Sequence, residues 1–181
     1  MPRHLWCPVD KVVGSGWKWD TISTEWQVVG ICDRLVGMLI GEYIHTLDNK
    51  KRVALPSKFR RELGRKIILT RGLDNCIFMY PEIAWRKVLE KLEKLSTALS
   101  NSRDFNRFML SGAVETEVDR AGRILIPDFL KDFAGLETRV IVAGVGDRLE
   151  LWNFDSWQSY KKRVGRQAGK LAEKLGQVGG F

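Results

Sequence analysis

The side chains with the most evident chemical use in this sequence are cations, and they are concentrated in one short segment. Eight basic residues fall between residues 50 and 66, where Glu62 is the sole acid. They are Lys50, Lys51, Arg52, Lys58, Arg60, Arg61, Arg65 and Lys66. Lysines neutralise phosphates, and the arginine fork bonds bidentately to guanine O6 and N7 in the major groove. The segment therefore predicts a surface for an anionic partner, either nucleic acid or a membrane surface, and if the partner is DNA, Arg52 is suited to read bases. The other contacts predicted in this segment are Lys50, Lys51, Lys58, Arg60 and Arg61.

For each of these cations the alternative role is a solvated surface charge or an ion pair. Arg52 lies four residues after Asp48, so it is also placed to brace a turn by pairing with that carboxylate. Arg123 stands in the same relation to Asp119, in a more acidic neighbourhood that favours bracing over DNA contact. We therefore expect Arg52 to contact DNA and keep Arg123 as a second candidate.

The distribution of charge supports this choice. The net charge of +8 and the isoelectric point near 9.6 favour an anionic partner. Residues 38–95 carry a net +6, residues 96–160 a net −3 and residues 161–181 a net +5, and the first 37 residues are neutral. We expect the first half to face DNA and the second half to act mainly as its structural partner.

The sequence offers little for catalysis. Its only histidines are His4 and His45, and it has no HExxH, GxSxG or P-loop pattern. Cys76 lies in an apolar strand, and the three cysteines form no CxxC pair. We expect no catalytic residue, no cofactor and no metal. No stretch reaches the roughly 20 apolar residues of a membrane span, and the N-terminus lacks the features of a signal peptide. We therefore expect a cytoplasmic protein without a membrane partner.

A motif of the form Asp-x-x-x-Arg-x-x-x-Pro occurs twice. The two occurrences are Asp48–Arg52–Pro56 and Asp119–Arg123–Pro127. The aspartate is expected to open a tight turn, because its carboxylate accepts backbone N–H bonds. The proline then opens a short helix, where its missing N–H costs nothing. Gly64 and Gly135 are expected to end these helices in the left-handed conformation, and Gly122 lies in the second turn.

Each copy of the repeat is predicted to contain a strand, the turn, a second strand, the short helix and two more strands. The helices are expected over residues 57–63 and 128–134. The later strands are expected over 66–70 and 75–80 in the first copy, and over 139–143 and 148–152 in the second. Between the copies, Pro81 to Leu99 carries apolar residues at helical spacing that are expected to face the core. A second short helix carries Phe105 and Phe108, and a C-terminal helix is expected over 156–175.

One copy of roughly 45 residues is near the lower size limit for an independent core, so the two are expected to pair within the chain. The sequence is thus predicted to be an α+β protein. Its predicted parts are a leader (1–37), a first module (38–85), a helical insert (86–111), a second module (112–158) and a basic C-terminal helix and tail (159–181).

The doubled motif, the matched strands and the helical insert resemble the MraZ family, whose two modules are of the SpoVT-AbrB swapped-hairpin type. The resemblance covers about residues 38–160. It implies a homo-oligomer assembled as a ring that binds double-stranded DNA at G-rich direct repeats. In the family these repeats precede the protein's own gene, at the head of a cell-division and cell-wall gene cluster, which implies a nucleoid-associated transcriptional regulator. The resemblance also implies that the Asp-x-x-x-Arg motif contacts DNA, here through Arg52 and Arg123.

One departure from the family pattern concerns the first turn. The family usually has glycine before the motif arginine, as at Gly122, whereas the first copy has Lys51. A side chain there disfavours positive φ by roughly 1 kcal/mol, so the first turn is expected to differ in shape, or Lys51 adds a phosphate contact.

A second class of function stays open. Related swapped-hairpin folds serve as antitoxins, so a protein-interaction module with non-specific DNA binding is the alternative. Antitoxins hold their toxin through a disordered tail, whereas the tail predicted here is basic and helical.

The first 37 residues differ from the rest of the chain. They hold four of the seven tryptophans and show no sustained period of 3.6 or 2. Tryptophan is encoded by TGG alone, so this composition fits G-rich DNA read as protein. We expect Met38 to be the native start, the alternative being a genuine loosely packed extension.

The intact mass of the native protein tests this expectation. Mass spectrometry of the protein from its own cells should give the mass of residues 38–181. A mass that includes Met1 to Gly37 would show that the leader is translated.

Overall fold

The computed structural model describes residues 38–177. The predicted leader over 1–37 lies outside the described residues. Eight strands are described: β1 (Leu39–Thr46), β2 (Arg52–Ala54), β3 (Lys66–Arg71), β4 (Ile77–Pro81), β5 (Val114–Glu117), β6 (Arg123–Leu125), β7 (Arg139–Gly146) and β8 (Leu149–Asn153). The helices are α1 (Ser57–Leu63), α2 (Glu82–Glu93), α3 (Ser100–Ser111), α4 (Asp128–Phe133) and α5 (Phe154–Gln177). The chain is α+β, as predicted.

The two copies of the repeat exchange strands. Six strands form one antiparallel sheet in the order β1-β7-β8-β4-β3-β5. At one edge β1 of the first copy pairs with β7 of the second, and at the other edge β5 of the second copy pairs with β3 of the first. Swapping the copies reproduces the same order in reverse, so a pseudo-twofold axis relates them. This arrangement confirms the predicted intrachain pair of swapped hairpins.

The remaining strands, β2 and β6, form a separate two-stranded antiparallel ribbon. Val53 of one copy faces Ile124 of the other across it, and both side chains are buried. Leu55 and Ile126, which lie two residues further along in each copy, are also fully buried. Together with Phe59 of α1 they belong to the core that fills the space between the ribbon and the six-stranded sheet. The β-branched and apolar positions that repeat in the sequence are thus the positions that join the copies.

Both short helices begin where the sequence predicts; α1 also ends there, and α4 ends at Phe133, one residue earlier than predicted. Pro56 and Pro127 immediately precede α1 and α4. Gly64 has a φ of 74° with a ψ of −163°, and Gly135 has a φ of 55°, so both take the positive φ expected after these helices, but Gly64 lies outside the left-handed helical region that was predicted.

The other face of the sheet is covered by α2, α3 and the first turns of α5. Trp85 of α2 is buried against Tyr80 of β4. Trp157 and Tyr160 of α5 pack against Trp152 of β8. Within residues 38–177, no helix has the length and apolar character to cross a membrane.

The insert helix is shorter than predicted. The structure ends α2 at Glu93, and Leu95 and Leu99, which were expected to face the core, are 36% and 61% exposed. The Ser96 hydroxyl accepts a hydrogen bond from the Ala98 N–H, a local bond that competes with continuation of a helix.

The C-terminal helix begins at Phe154, two residues before its predicted start. The Asn153 side chain accepts hydrogen bonds from the backbone N–H groups of Asp155 and Ser156 and so caps the helix. The later apolar residues of α5 are exposed, Leu171 at 41% and Leu175 at 49%.

Candidate nucleic-acid interface

The first motif aspartate organises its turn (residues 48–52, turn 1). One carboxylate oxygen of Asp48 accepts backbone N–H bonds from Lys50 at 2.8 Å and from Arg52 at 2.9 Å. The other oxygen accepts Arg52 Nε at 2.9 Å and lies 2.8 Å from a terminal guanidinium nitrogen. The aspartate therefore both shapes the turn and orients the arginine.

The second turn (residues 119–123, turn 2) has the same bonds. Asp119 accepts the N–H groups of Ala121 and Arg123, both at 2.9 Å. Its second oxygen lies 2.9 Å from Arg123 Nε and 2.8 Å from a terminal guanidinium nitrogen. The bracing interpretation is therefore correct for both arginines. The expected preference for Arg52 over Arg123 in DNA contact has no geometric basis in the turns and stays a prediction from charge.

The difference in shape expected from Lys51 is absent. Lys51 takes a φ of 58° and Gly122 a φ of 76°, so the lysine adopts the left-handed conformation that glycine adopts in the other copy. In each turn this residue donates its N–H to the carbonyl of the motif aspartate at 2.8 Å. The hydrogen bonds of the turn thus impose a conformation that the lysine side chain disfavours.

Both aspartates remain charged in this setting. Hydrogen bonds from the backbone N–H of Arg52, assisted by its side chain, lower the pKa of Asp48 below its ordinary value. The Arg123 backbone and side chain lower the pKa of Asp119 in the same way. The carboxylates therefore keep accepting these bonds at neutral pH.

The ribbon brings the two arginines onto one surface. Across it Arg52 lies opposite Leu125, and Ala54 lies opposite Arg123. Side chains alternate along a strand, so these four residues share the face that points away from buried Val53 and Ile124. Arg52 and Arg123 are diagonal neighbours on that face, a relation that places the Cα atoms of two residues about 7–8 Å apart. Their side chains are 29% and 35% exposed.

Each turn is bonded to the opposite copy. Ile126 donates its N–H to the Lys51 carbonyl at 2.8 Å, and Leu55 donates to the Gly122 carbonyl at 2.9 Å. The Arg60 side chain bonds the Leu55 carbonyl at 2.8 Å and lies over turn 2, where a Cβ on Gly122 would meet its guanidinium. A cation from the first copy therefore covers the turn of the second.

The structure separates the predicted cations into paired and unpaired groups. Lys51 pairs with Asp128, which argues against a freely available phosphate contact at this residue. Arg65 and Lys66 pair with Glu117 and Glu115 of β5 at 3.3 and 2.8 Å. Within residues 38–177, the side chains of Lys50 and Arg61 are exposed and make no ion pair. Lys58 is also exposed, with its amine 3.4 Å from the Ile40 carbonyl.

One residue of this face was missed by the sequence analysis. Leu125 is 53% exposed between buried Ile124 and Ile126, at the end of the ribbon that carries Arg52. The alternation of apolar residues around it was the available signal, because a strand that buries Ile124 and Ile126 must turn Leu125 outward.

The described residues offer no competing site for metal chemistry. They contain no group of three or more histidine, cysteine or acidic side chains placed to hold a metal ion. Cys76 is buried, and burial raises the pKa of its thiol, so the group stays protonated and unreactive.

These features define a class of protein: two swapped-hairpin modules locked into one chain, which present a braced pair of arginines on a shared ribbon. The sequence matches the MraZ family, described as "MraZ protein, putative antitoxin-like", over residues 38–108 and again over 109–174. The chain is 48% identical over 138 residues to the transcriptional regulator MraZ of Caldanaerobacter subterraneus subsp. tengcongensis, covering 76% of this chain and 96% of that protein. It is 49% identical over 142 residues to the transcriptional regulator MraZ of Caldicellulosiruptor saccharolyticus, covering 78% of this chain and 99% of that protein.

The chain therefore belongs to the MraZ family. The resemblance inferred from the doubled motif is confirmed. These relatives are named as regulators of transcription and not as enzymes, in agreement with the expectation that the chain is not an enzyme.

The geometry of turn 1 predicts that Lys51→Gly leaves stability unchanged or raises it by up to about 1 kcal/mol. Glycine removes roughly 1–2 kcal/mol of backbone strain. The exposed ion pair with Asp128 contributes at most about 1 kcal/mol, and the greater freedom of glycine in the unfolded chain offsets part of the gain. Urea unfolding measures the difference.

Gly122→Ala at the equivalent position of turn 2 should destabilise the protein by at least about 1–2 kcal/mol, because its Cβ adds backbone strain and also displaces the Arg60 guanidinium. A loss of more than about 1 kcal/mol in Lys51→Gly would mean that the contact with Asp128 outweighs the strain.

Proposed function

We propose that this protein is a sequence-specific DNA-binding transcriptional regulator whose ribbon enters the major groove. One observation carries the proposal: Arg52 and Arg123 lie on the same outward face, each oriented by its own aspartate. A two-stranded ribbon fits the major groove. The naming of the relatives as transcriptional regulators supports the same function.

Bracing by aspartate is compatible with base reading. A guanidinium group carries five N–H donors, and the bonds to Asp48 use those on Nε and on one terminal nitrogen of Arg52. The remaining donors are available to guanine. A side chain held in one orientation also loses less entropy on binding.

The DNA sequence proposed is a set of G-rich direct repeats upstream of the protein's own gene, in a cell-division and cell-wall gene cluster. The two arginines favour guanine, the base that offers two acceptors to a fork. Lys50, Lys58 and Arg61 would supply phosphate contacts, and Arg60 would add positive charge beside turn 2. The protein would then act in the cytoplasm, associated with the nucleoid.

We propose further that the protein works as a homo-oligomer, in the form of a ring. Two surfaces support self-association. The outer side of β1 is a sheet edge with exposed Ile40 and Ile44, and the outer half of α5 exposes Leu171 and Leu175. Several ribbons in one assembly would bind adjacent repeats with high combined affinity.

A protein-interaction function is the second candidate, and it rests on the same exposed half of α5. An apolar helix face is a common docking site for another protein. The "antitoxin-like" part of the family's description is consistent with such a partner. Recovery of a stable complex with a different protein, combined with no shift of upstream DNA, would favour this candidate.

The DNA proposal predicts a specific defect in Arg52→Lys. Lysine keeps the charge but loses the fork, so the preference for G-rich over scrambled duplex should fall by roughly 5- to 150-fold, the equivalent of about 1–3 kcal/mol. Affinity for scrambled DNA should hardly change. Gel shifts at two salt concentrations, on the protein's own upstream DNA and a scrambled competitor, measure both quantities.

Two controls accompany this test. Arg86→Lys alters an exposed arginine on α2 that pairs with Glu82, far from the ribbon in the fold, and it should bind like the unaltered chain. Lys58→Ala should weaken binding to all sequences and reduce the salt slope by about one unit. If Arg52→Lys keeps full sequence preference while circular dichroism shows an intact fold, Arg52 serves only to brace its turn.

The oligomer proposal predicts that α5 variants change the size of the particle. Leu171→Ser combined with Leu175→Ser removes apolar area from the exposed face, so light scattering should show smaller particles than the unaltered chain forms. Lys162→Ser combined with Arg166→Ser, on the opposite face of the helix, should leave the mass unchanged. If the unaltered chain is already a single 20.7 kDa chain in solution, the oligomer proposal is wrong.

A further inference from the structure

The ribbon face proposed to enter DNA contains an exposed apolar side chain at one end, beside Arg52. Leu125 is 53% exposed, whereas its neighbours Ile124 and Ile126 are buried. Among residues 38–177, the Thr116 hydroxyl is the one side chain that bonds the main chain of Leu125, donating to its carbonyl at 3.4 Å. This bond leaves the isobutyl group free.

The position of this leucine relative to the arginines is specific. Arg52 lies directly opposite Leu125 across the ribbon, and Arg123 precedes it by two residues on the same strand and the same face. Leu125 is therefore placed to reach a base next to one that Arg52 reads, because directly opposite residues of an antiparallel pair have Cβ atoms only about 4.5–5.5 Å apart.

The chemistry of the leucine restricts what it can recognise. An isobutyl group has neither donor nor acceptor, so it gains nothing from a phosphate or from a guanine edge. The apolar group that base pairs present in the major groove is the C5-methyl of thymine. Desolvating that methyl against an exposed leucine is favourable in the same way as burying any apolar surface.

We infer that Leu125 is a specificity-determining residue that contacts the methyl group of a thymine next to a guanine read by an arginine. The inference rests on the proposed DNA-binding function and adds the base that neither arginine recognises.

The two positions related by the pseudo-twofold axis carry different side chains, so only one end of the ribbon can make this contact. The residue equivalent to Leu125 in the first copy is Ala54, which lies opposite Arg123. Its single methyl group projects much less far from the ribbon. The end of the ribbon with Arg52 and Leu125 is therefore suited to a guanine with a neighbouring thymine, whereas the end with Arg123 and Ala54 has no side chain that would select thymine. The inference thus gives the ribbon a direction along the DNA.

Replacing thymine by deoxyuridine tests the contact, because it removes the methyl group and leaves all hydrogen-bonding groups in place. Fluorescence anisotropy would compare the full chain on two duplexes of one G-rich repeat sequence. One duplex contains thymine beside the guanine runs and the other contains deoxyuridine there. We expect about fourfold weaker binding to the deoxyuridine duplex for each methyl contacted, the loss typical of one buried methylene-sized group.

Leu125→Ala should bind the thymine duplex about fourfold more weakly than the unaltered chain and should bind both duplexes equally. Leu99→Ala is the matched control, since Leu99 is an exposed leucine in the connection between α2 and α3. It should keep the full difference between the duplexes. Because Leu125 is exposed, its replacement should leave circular dichroism and thermal unfolding unchanged.

The other outcomes separate this inference from the function on which it rests. If the unaltered chain binds both duplexes equally well and still prefers G-rich DNA, the leucine contact is wrong and the DNA-binding function stands. The contact is also wrong if Leu125→Ala retains the difference between the duplexes. If the chain shows no preference for G-rich DNA at all, the proposed function fails and this inference fails with it.

Discussion

The structure depends on one pairing, that of β2 with β6. These three-residue strands come from different copies of the repeat, and each supplies a buried residue, Val53 or Ile124, to a core that neither copy encloses alone. A unit of roughly 45 residues has too little interior to be stable by itself. Strand exchange at the edges of the large sheet solves the same problem at a larger scale, because β1 and β5 each complete the sheet of the other copy. The interface between the copies is therefore the hydrophobic core of the domain.

Because the pairing of β2 with β6 holds the backbone of both copies in place, the residues on the surface of the ribbon can differ between the copies. The two turns keep the same bonds from aspartate to backbone and to arginine, although one contains Lys51 and the other Gly122. The lysine tolerates a strained φ, and its exposed contact with Asp128 is too weak to compensate fully. Stability therefore does not explain why a lysine is present. Its side chain pairs with Asp128 of α4, so its charge is directed to the second copy.

Much of the fold was predictable, because it follows from patterns that repeat. The spacing of aspartate, arginine and proline identified the turns and the short helices, and the matched apolar positions identified the core strands. The surface of the site was predicted less well. The sequence analysis assigned the DNA face to the first copy by counting charges, but Lys51, Arg65 and Lys66 are paired with acids supplied by the second copy. Such pairs depend on strand exchange across about fifty residues or more, which composition does not reveal. For the same reason Leu125 was missed, since its importance depends on which residue lies opposite it.

The candidate interface consequently belongs to neither copy. Each contributes one braced arginine to a single ribbon, and the acidic residues of the second copy reduce the charge of the first except around Lys50, Lys58 and Arg61. A ribbon with perfect twofold symmetry would bind a palindrome and read either orientation equally. Here Ala54 and Leu125 occupy equivalent positions with side chains of different length, so rotation about the pseudo-twofold does not reproduce the surface. A DNA-binding ribbon without that symmetry fits binding sites that are repeated in the same orientation along the DNA. The proposed oligomer would therefore be matched to direct repeats, and each additional repeat would increase the combined affinity without requiring a new kind of contact.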